Sequence, residues 1–116
     1  MNNVQLIGNL ATDVELRDVA DEKKVASFLL AIDRRAKDGG ADFVWISAWD
    51  RQAELCAQYL GKGERVAVEG RLRSRTWEQD GKRRDAVEVN ARHVEFLGAR
   101  ARDEGAEVIP FEAATA

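Results

Sequence analysis

The chain holds one cysteine, one histidine and one proline in 116 residues. A lone cysteine, Cys56, excludes an internal disulfide and any cysteine-only metal cluster. With His93 the only histidine, no His/Cys set has the spacing zinc requires, and no Gly-rich loop of the phosphate-cradling kind is present. Long apolar runs are also lacking: none approaches the roughly 18–20 residues that span a bilayer. The opening MNNVQLIGNLATD lacks the basic region and apolar core of a signal peptide. The expectation is a cytoplasmic protein with no membrane contact, no metal, no cofactor and no catalytic residue. His93, flanked by Arg92 and Val94 in a strand-like stretch that ends at Phe96, reads as a structural or interface residue rather than a base. Cys56, on the apolar face of a helix, reads as core.

What is present describes a globular chain, 45% hydrophobic and 34% charged, of a length that suits one domain with a real core. The net charge of −3 argues at first against a nucleic-acid partner. Its distribution reverses that. Residues 71–84, RLRSRTWEQDGKRR, carry six basic and two acidic side chains, whereas residues 1–50 carry six basic and nine acidic. A basic segment inside an acidic protein makes a local field, which governs binding more than the total does.

Glycines and charged turns divide the chain into short β-like segments around one change of period. NVQLIGNL is the first strand, with Gly8 marking a bend or close backbone approach; DVELRD is its continuation or a short strand of its own. KVASFLLAID is the second strand and ADFVWISAWD the third, separated by the polar loop RRAKDGGAD. In DRQAELCAQYLG the apolar residues Ala53, Leu55, Cys56, Tyr59 and Leu60 fit a helical face, with Asp50 placed to cap it and Gly61 to stop it. ERVAVEGRLRSRTW is the fourth strand, the Asp80-Gly81 pair signals a hairpin, and RRDAVEVNARHVEFLG returns as the fifth. Five strands with one helix between the third and fourth is the order of the OB-fold, an all-β Greek-key barrel; an unrelated small α+β domain shares that order. The domain is expected over residues 1–98, with residues 99–116 as a short acidic, loosely ordered tail.

The chemistry lies on two strands. Successive side chains in a strand point to opposite faces, so Phe43, Trp45 and Trp49 share one face of the third strand, and Val44, Ile46 and Ala48 the other. The chain has eight aromatic residues, so three on one such face is a concentration. The fourth strand places Val66, Val68, Gly70, Leu72, Ser74 and Thr76 on one face, and Arg71, Arg73, Arg75 and Trp77 on the other. Three adjacent guanidinium groups repel one another unless an anion or carboxylate partners such as Glu88 neutralise them. Single-stranded nucleic acid supplies both complements, phosphates for the cations and π faces for the rings. Arg34, Arg35 and Lys37 in the second loop, and Lys82, Arg83 and Arg84 past the hairpin, would extend a phosphate track. The other reading of each ring is core or subunit interface.

The stretches NVQLIGNLATDVELR, ASFLLAIDRR and AELCAQYLGKGERVAVEGRLRSRTW resemble the bacterial single-stranded DNA-binding protein family over residues 2–98. The resemblance implies an OB-fold, usually assembled as a homotetramer of paired dimers, that wraps and protects single-stranded DNA without sequence preference during replication, repair and recombination. Carried over by position, it implies stacking at Phe43, Trp49 and Trp77, joined on the residue pattern by Trp45. It implies phosphate contacts at Arg34, Lys62, Arg71, Arg73 and Arg75, to which the basic pattern adds Arg35, Arg83 and Arg84. There are departures. The family often has an aromatic after the second strand, where this loop has Ala36, and Phe43 replaces a typical Trp. Family members usually end in a long linker and an acidic tip finishing in Pro-Phe. Here Ile109, Pro110 and Phe111 follow acidic residues with almost no linker, and EAATA comes after them. That tail is the candidate contact for replication and repair proteins. The competing function is an accessory OB-fold module of replication restart that binds proteins first and DNA weakly.

Overall fold

The computed structural model describes residues 1–98 apart from Ala20 and Ala36. The chain runs β1 (Val4–Leu10), β2 (Glu15–Val19), β3 (Lys23–Asp33), β4 (Ala41–Trp49), α1 (Asp50–Tyr59), β5 (Arg65–Gln79) and β6 (Lys82–Phe96). The strand order is β1-β5-β6-β4-β3-β2, and β1 pairs a second time with β3 through Asn9↔Ala31 and Leu10↔Leu30. That second pairing closes β1, β5, β6, β4 and β3 into a ring of five strands. The stretch left open between two readings is a strand of its own, β2, paired among the described residues only to β3 and outside the ring. An all-β barrel of five strands, with one helix after the third strand of the ring, is the OB-fold arrangement. No helix among the described residues is long and apolar enough to cross a membrane.

The barrel interior is built by period-two alternation. Ala26, Phe28 and Leu30 of β3 face inward beside Ile46 and Ala48 of β4, Val66 and Val68 of β5, and Val89 and Ala91 of β6. Each large apolar side chain so buried contributes roughly 1.5–3 kcal/mol. Helix α1 closes one end of the barrel with Ala53 and Cys56, both fully buried. Burial pushes the Cys56 thiol up to about 11, so it packs as a small apolar group rather than a nucleophile. Gly8 is a close approach: a Cβ there would collide with the Ala31 carbonyl at the point where β1 meets β3.

The helix starts otherwise than its sequence suggests. Asp50 does not cap it; Trp49 is the N-cap and makes no side-chain cap bond. Asp50 is the first helical residue, held at φ 56°, and its Oδ1 accepts a hydrogen bond from the Lys24 amide at 3.3 Å. Aspartate tolerates that left-handed backbone better than most residues. At the other end the helix stops at Tyr59, and Leu60 is already extended, so Gly61 is not the terminator.

Beyond the barrel, β5 and β6 continue as a two-stranded ribbon. From Arg71 to Asp85 every residue is exposed. Its tip is the turn signalled by Asp80-Gly81, with φ 54° and 75°, as a two-residue type I′ hairpin demands. At the ribbon's base the β5–β6 register slips between Glu69 and Gly70, leaving Arg92 without a partner on β5. Gln52 of α1 holds this bulge from both sides: its Nε2 donates to the Arg92 carbonyl at 3.0 Å, and its Oε1 accepts from the Val94 amide at 2.7 Å. An extra residue inverts which side chains face in. Val94 and Ala91 are therefore both buried.

Candidate nucleic-acid interface

Register assembles one continuous face. Ser27 of β3 lies opposite Ser47 of β4, Ser47 pairs with Asn90 of β6, and Asn90 lies opposite Arg71 of β5. Directly opposed residues share a face, and so do residues two apart. Phe43, Trp45, Ser47 and Trp49 therefore stand on the same outer surface as Arg71, Arg73, Arg75 and Trp77. The opposite faces of β4 and of the barrel part of β5 form the core, as the alternation requires.

The rings on this surface differ in availability. Phe43 is 60% exposed, Trp45 49% and Trp77 37%, and none is required to fill the core. Trp49 is only partly exposed and lies opposite the buried Val25. Its indole Nε1 is buried and without a hydrogen-bond partner among the described residues, an arrangement that costs roughly 1–3 kcal/mol. Trp49 thus has one edge set into the protein and the remainder on the surface. Trp77 has a different constraint: the Arg75 guanidinium sits 4.9 Å from its ring centroid. That cation–π contact covers one face of the indole and steadies it.

The cations also divide. Glu88, largely buried on this face, accepts from the Ser47 hydroxyl at 3.2 Å and approaches Arg75 at 3.7 Å. The cross-strand carboxylate weighed as an alternative partner for the arginine ladder therefore holds Arg75. Arg71 and Arg73 have no carboxylate partner within 4.0 Å among the described residues, so the repulsion between them is left uncompensated. Arg34 is bound to Asp42 at 2.8 Å, next to Phe43 at the β3–β4 loop; Arg35 in the same loop is exposed and unpaired among the described residues.

The remaining basic candidates are not all brought together. Trp77 lies opposite Arg84, which places Arg84 on the ring-bearing face, but Glu78 lies opposite Arg83. Arg83 therefore stands on the other side of the ribbon, 3.8 Å from Asp85, and is not brought onto the ring-bearing face. Lys62 follows the C-terminal end of α1, where its amide donates to Asp13 at 2.9 Å. That is the far end of a ten-residue helix, about 15 Å from the end that meets Trp49. Lys62 is thus set apart from the cluster. His93 is exposed, with Nε2 3.6 Å from Glu95. The tail candidates Ile109, Pro110 and Phe111 lie outside the described residues.

Three residues of the surface escape sequence reading. Lys23, Asn90 and Asp50 line an open depression of about 340 Å³ together with Trp49 and Arg73. Lys23 lies just before the second strand as read from the sequence, Asp50 reads as a cap and Asn90 as an ordinary strand position. The signal for Asn90 was its even spacing from Glu88, with the hairpin register setting it opposite Arg71.

The model of the Single-strand binding protein family matches residues 1–97. Among curated relatives, the chain is 42% identical over 104 residues to a single-stranded DNA-binding protein of Treponema pallidum, covering 85% of this chain and 59% of that one. It is 45% identical over 102 residues to single-stranded DNA-binding protein 3 of Clostridium acetobutylicum, covering 84% and 71%. It is 45% identical over 105 residues to a single-stranded DNA-binding protein of Bacillus cereus, covering 86% and 62%. The matched region thus spans about three fifths to seven tenths of the length of these relatives. On the family match and these identities together, the chain belongs to the single-strand binding protein family.

Proposed function

We propose that this chain binds single-stranded DNA with broad sequence tolerance and protects it during replication, repair and recombination in the cytoplasm, at the nucleoid. The observation that carries this reading is the single outer face on which Phe43, Trp45 and Trp77 are open to solvent beside Arg71 and Arg73, which have no carboxylate partner among the described residues. Bases stack on the rings, each worth roughly 1–3 kcal/mol. The guanidinium groups neutralise the backbone between them, and Arg84 and Arg35 lengthen the path. Duplex DNA turns its bases inward and cannot use the rings. Nothing in this mechanism asks for bond making, and the chain is read as a binding protein rather than an enzyme.

The chain is further proposed to act as a homotetramer, with the dimer as its smaller unit, and to meet replication and repair proteins through its acidic tail. The family supports the first part, and so does the edge of β1. That strand pairs with β5 along one side, but with β3 only at Asn9 and Leu10, so its Val4–Gly8 edge is unpaired among the described residues. Ile7 stands 52% exposed on the outer surface of the same strand. An unpaired edge with an apolar side chain beside it invites strand addition from a second copy.

Intrinsic tryptophan fluorescence tests the DNA reading, because two of the three tryptophans are open on the proposed path. Addition of unlabelled oligo-dT is expected to quench the emission saturably. Emission that stays unchanged while the protein still captures replication proteins would favour the accessory-module reading instead.

A further inference from the structure

The depression between the start of β3, the β4–α1 junction and the β5–β6 sheet contains groups that the stacking account does not use. Its lining is Lys23, Trp49, Asp50, Arg73 and Asn90. Two cations stand there without a carboxylate partner among the described residues. Asn90 is half-buried, with no side-chain hydrogen bond among those residues. Asp50 is an exposed carboxylate on a surface otherwise suited to phosphates, where a negative charge opposes binding. Its backbone is held in the left-handed region at φ 56°. A single weak bond from the Lys24 amide to Oδ1, at 3.3 Å, fixes the side chain and leaves Oδ2 free. The φ and the Lys24 bond account for an Asp or Asn here, and the free Oδ2 leaves the charge itself available to a base.

We infer that this depression is a nucleobase subsite that favours guanine, with Asp50 as its specificity-determining residue; the inference rests on the single-strand reading above. An unpaired guanine presents N1–H and N2–H₂ side by side, a donor pair that one carboxylate accepts with both oxygens. Cytosine and adenine each offer one amino group, and thymine offers a single N3–H between two carbonyl oxygens that repel a carboxylate. Base edges exposed in single strands are read by such contacts. Asn90 and Arg73, which line the same depression, supply donors for the guanine O6, and the partly buried Trp49 ring gives the base a wall to pack on. Lys23 and Arg73 neutralise the flanking phosphates, which offsets the repulsion from Asp50. At about 340 Å³ the depression lies at the small end of ligand clefts, which run to about 300–1,000 Å³. The preference belongs to one nucleotide position and leaves the rest of the path tolerant of sequence.

The test compares short dT oligonucleotides with matched ones carrying a single central dG, dC or dA, on the full chain and on Asp50→Asn. Asparagine adopts the same left-handed backbone and keeps the oxygen that faces Lys24, so the variant is expected to melt with the parent. The parent should bind the dG oligonucleotide roughly five- to tenfold more tightly than all-dT, the lower range for a bidentate base contact. Asp50→Asn should lose most of that ratio while binding all-dT at least as well as the parent does. Equal affinity for all four oligonucleotides, or a dG preference that survives Asp50→Asn, overturns the subsite and leaves the single-strand reading standing. Failure of every oligonucleotide to bind overturns both.

Discussion

Changing Phe43 and Trp45 together to alanine is expected to weaken oligo-dT binding by at least about thirtyfold, and either change alone by roughly 1–3 kcal/mol. Both rings stand on β4 above the Ser27–Ser47–Asn90 row, opposite Ala31 and Leu29 of β3, and neither completes the core. Their loss should therefore leave thermal stability within about 0.5 kcal/mol of the parent, as for surface substitutions in general. Trp49→Ala is the contrast. With its Nε1 edge set into the protein beside the buried Val25, it should lower both affinity and melting temperature. Fluorescence or filter titration beside a thermal melt separates the two cases. A double variant that binds normally would remove β4 from the DNA path.

The second large effect concerns salt. Each phosphate neutralised by Arg or Lys releases condensed counterion, and the slope of log affinity against log salt is about −0.7 per contact on single strands. Replacing both Arg71 and Arg73 by alanine should flatten that slope by about 1.4. The ion pairs of the free protein provide internal controls. Arg75 must share its charge with Glu88 at 3.7 Å, and Arg34 is bound to Asp42 at 2.8 Å, so each should change the slope by less. Arg83, on the opposite side of the ribbon and beside Asp85, should change it hardly at all. The ring variants should lower the line without altering its slope, since stacking moves no ions. Titrations across a salt series read all of these together. An Arg71/Arg73 double variant with the parent slope would place those side chains outside the path.

Much of this surface was legible because strand alternation is a local signal. The order Phe43, Trp45, Trp49 and the order Arg71, Arg73, Arg75, Trp77 each require only that one segment be extended. The Asp80-Gly81 turn was equally local, since both residues accept the positive φ that a tight hairpin needs. What was not legible depends on contacts distant in sequence. That β2 stands outside the ring follows from β1 pairing with β3 at Asn9 and Leu10, which no local pattern announces. The bulge at Arg92, clamped by Gln52 forty residues earlier, brings Val94 into the core along with Ala91. Glu88, by contrast, is set opposite Arg73 by the hairpin register alone. Asp50 read as a cap because its place before an apolar helical face fits one, but its carboxylate meets Lys24 across the sheet. Arg83 and Arg84 are neighbours in a basic run, and alternation sends them to opposite sides of the ribbon.

The central claim is that one face of this barrel recognises DNA through unpaired bases. Competition between oligo-dT and a duplex of equal length, at moderate salt, tests it most directly. With three open rings each worth roughly 1–3 kcal/mol per stacked base, the single strand should win by at least about a hundredfold, and the margin should shrink in the Phe43/Trp45 double variant. Equal affinity for the two forms, unchanged by loss of those rings, would contradict the account and reduce the face to a basic surface with exposed aromatics.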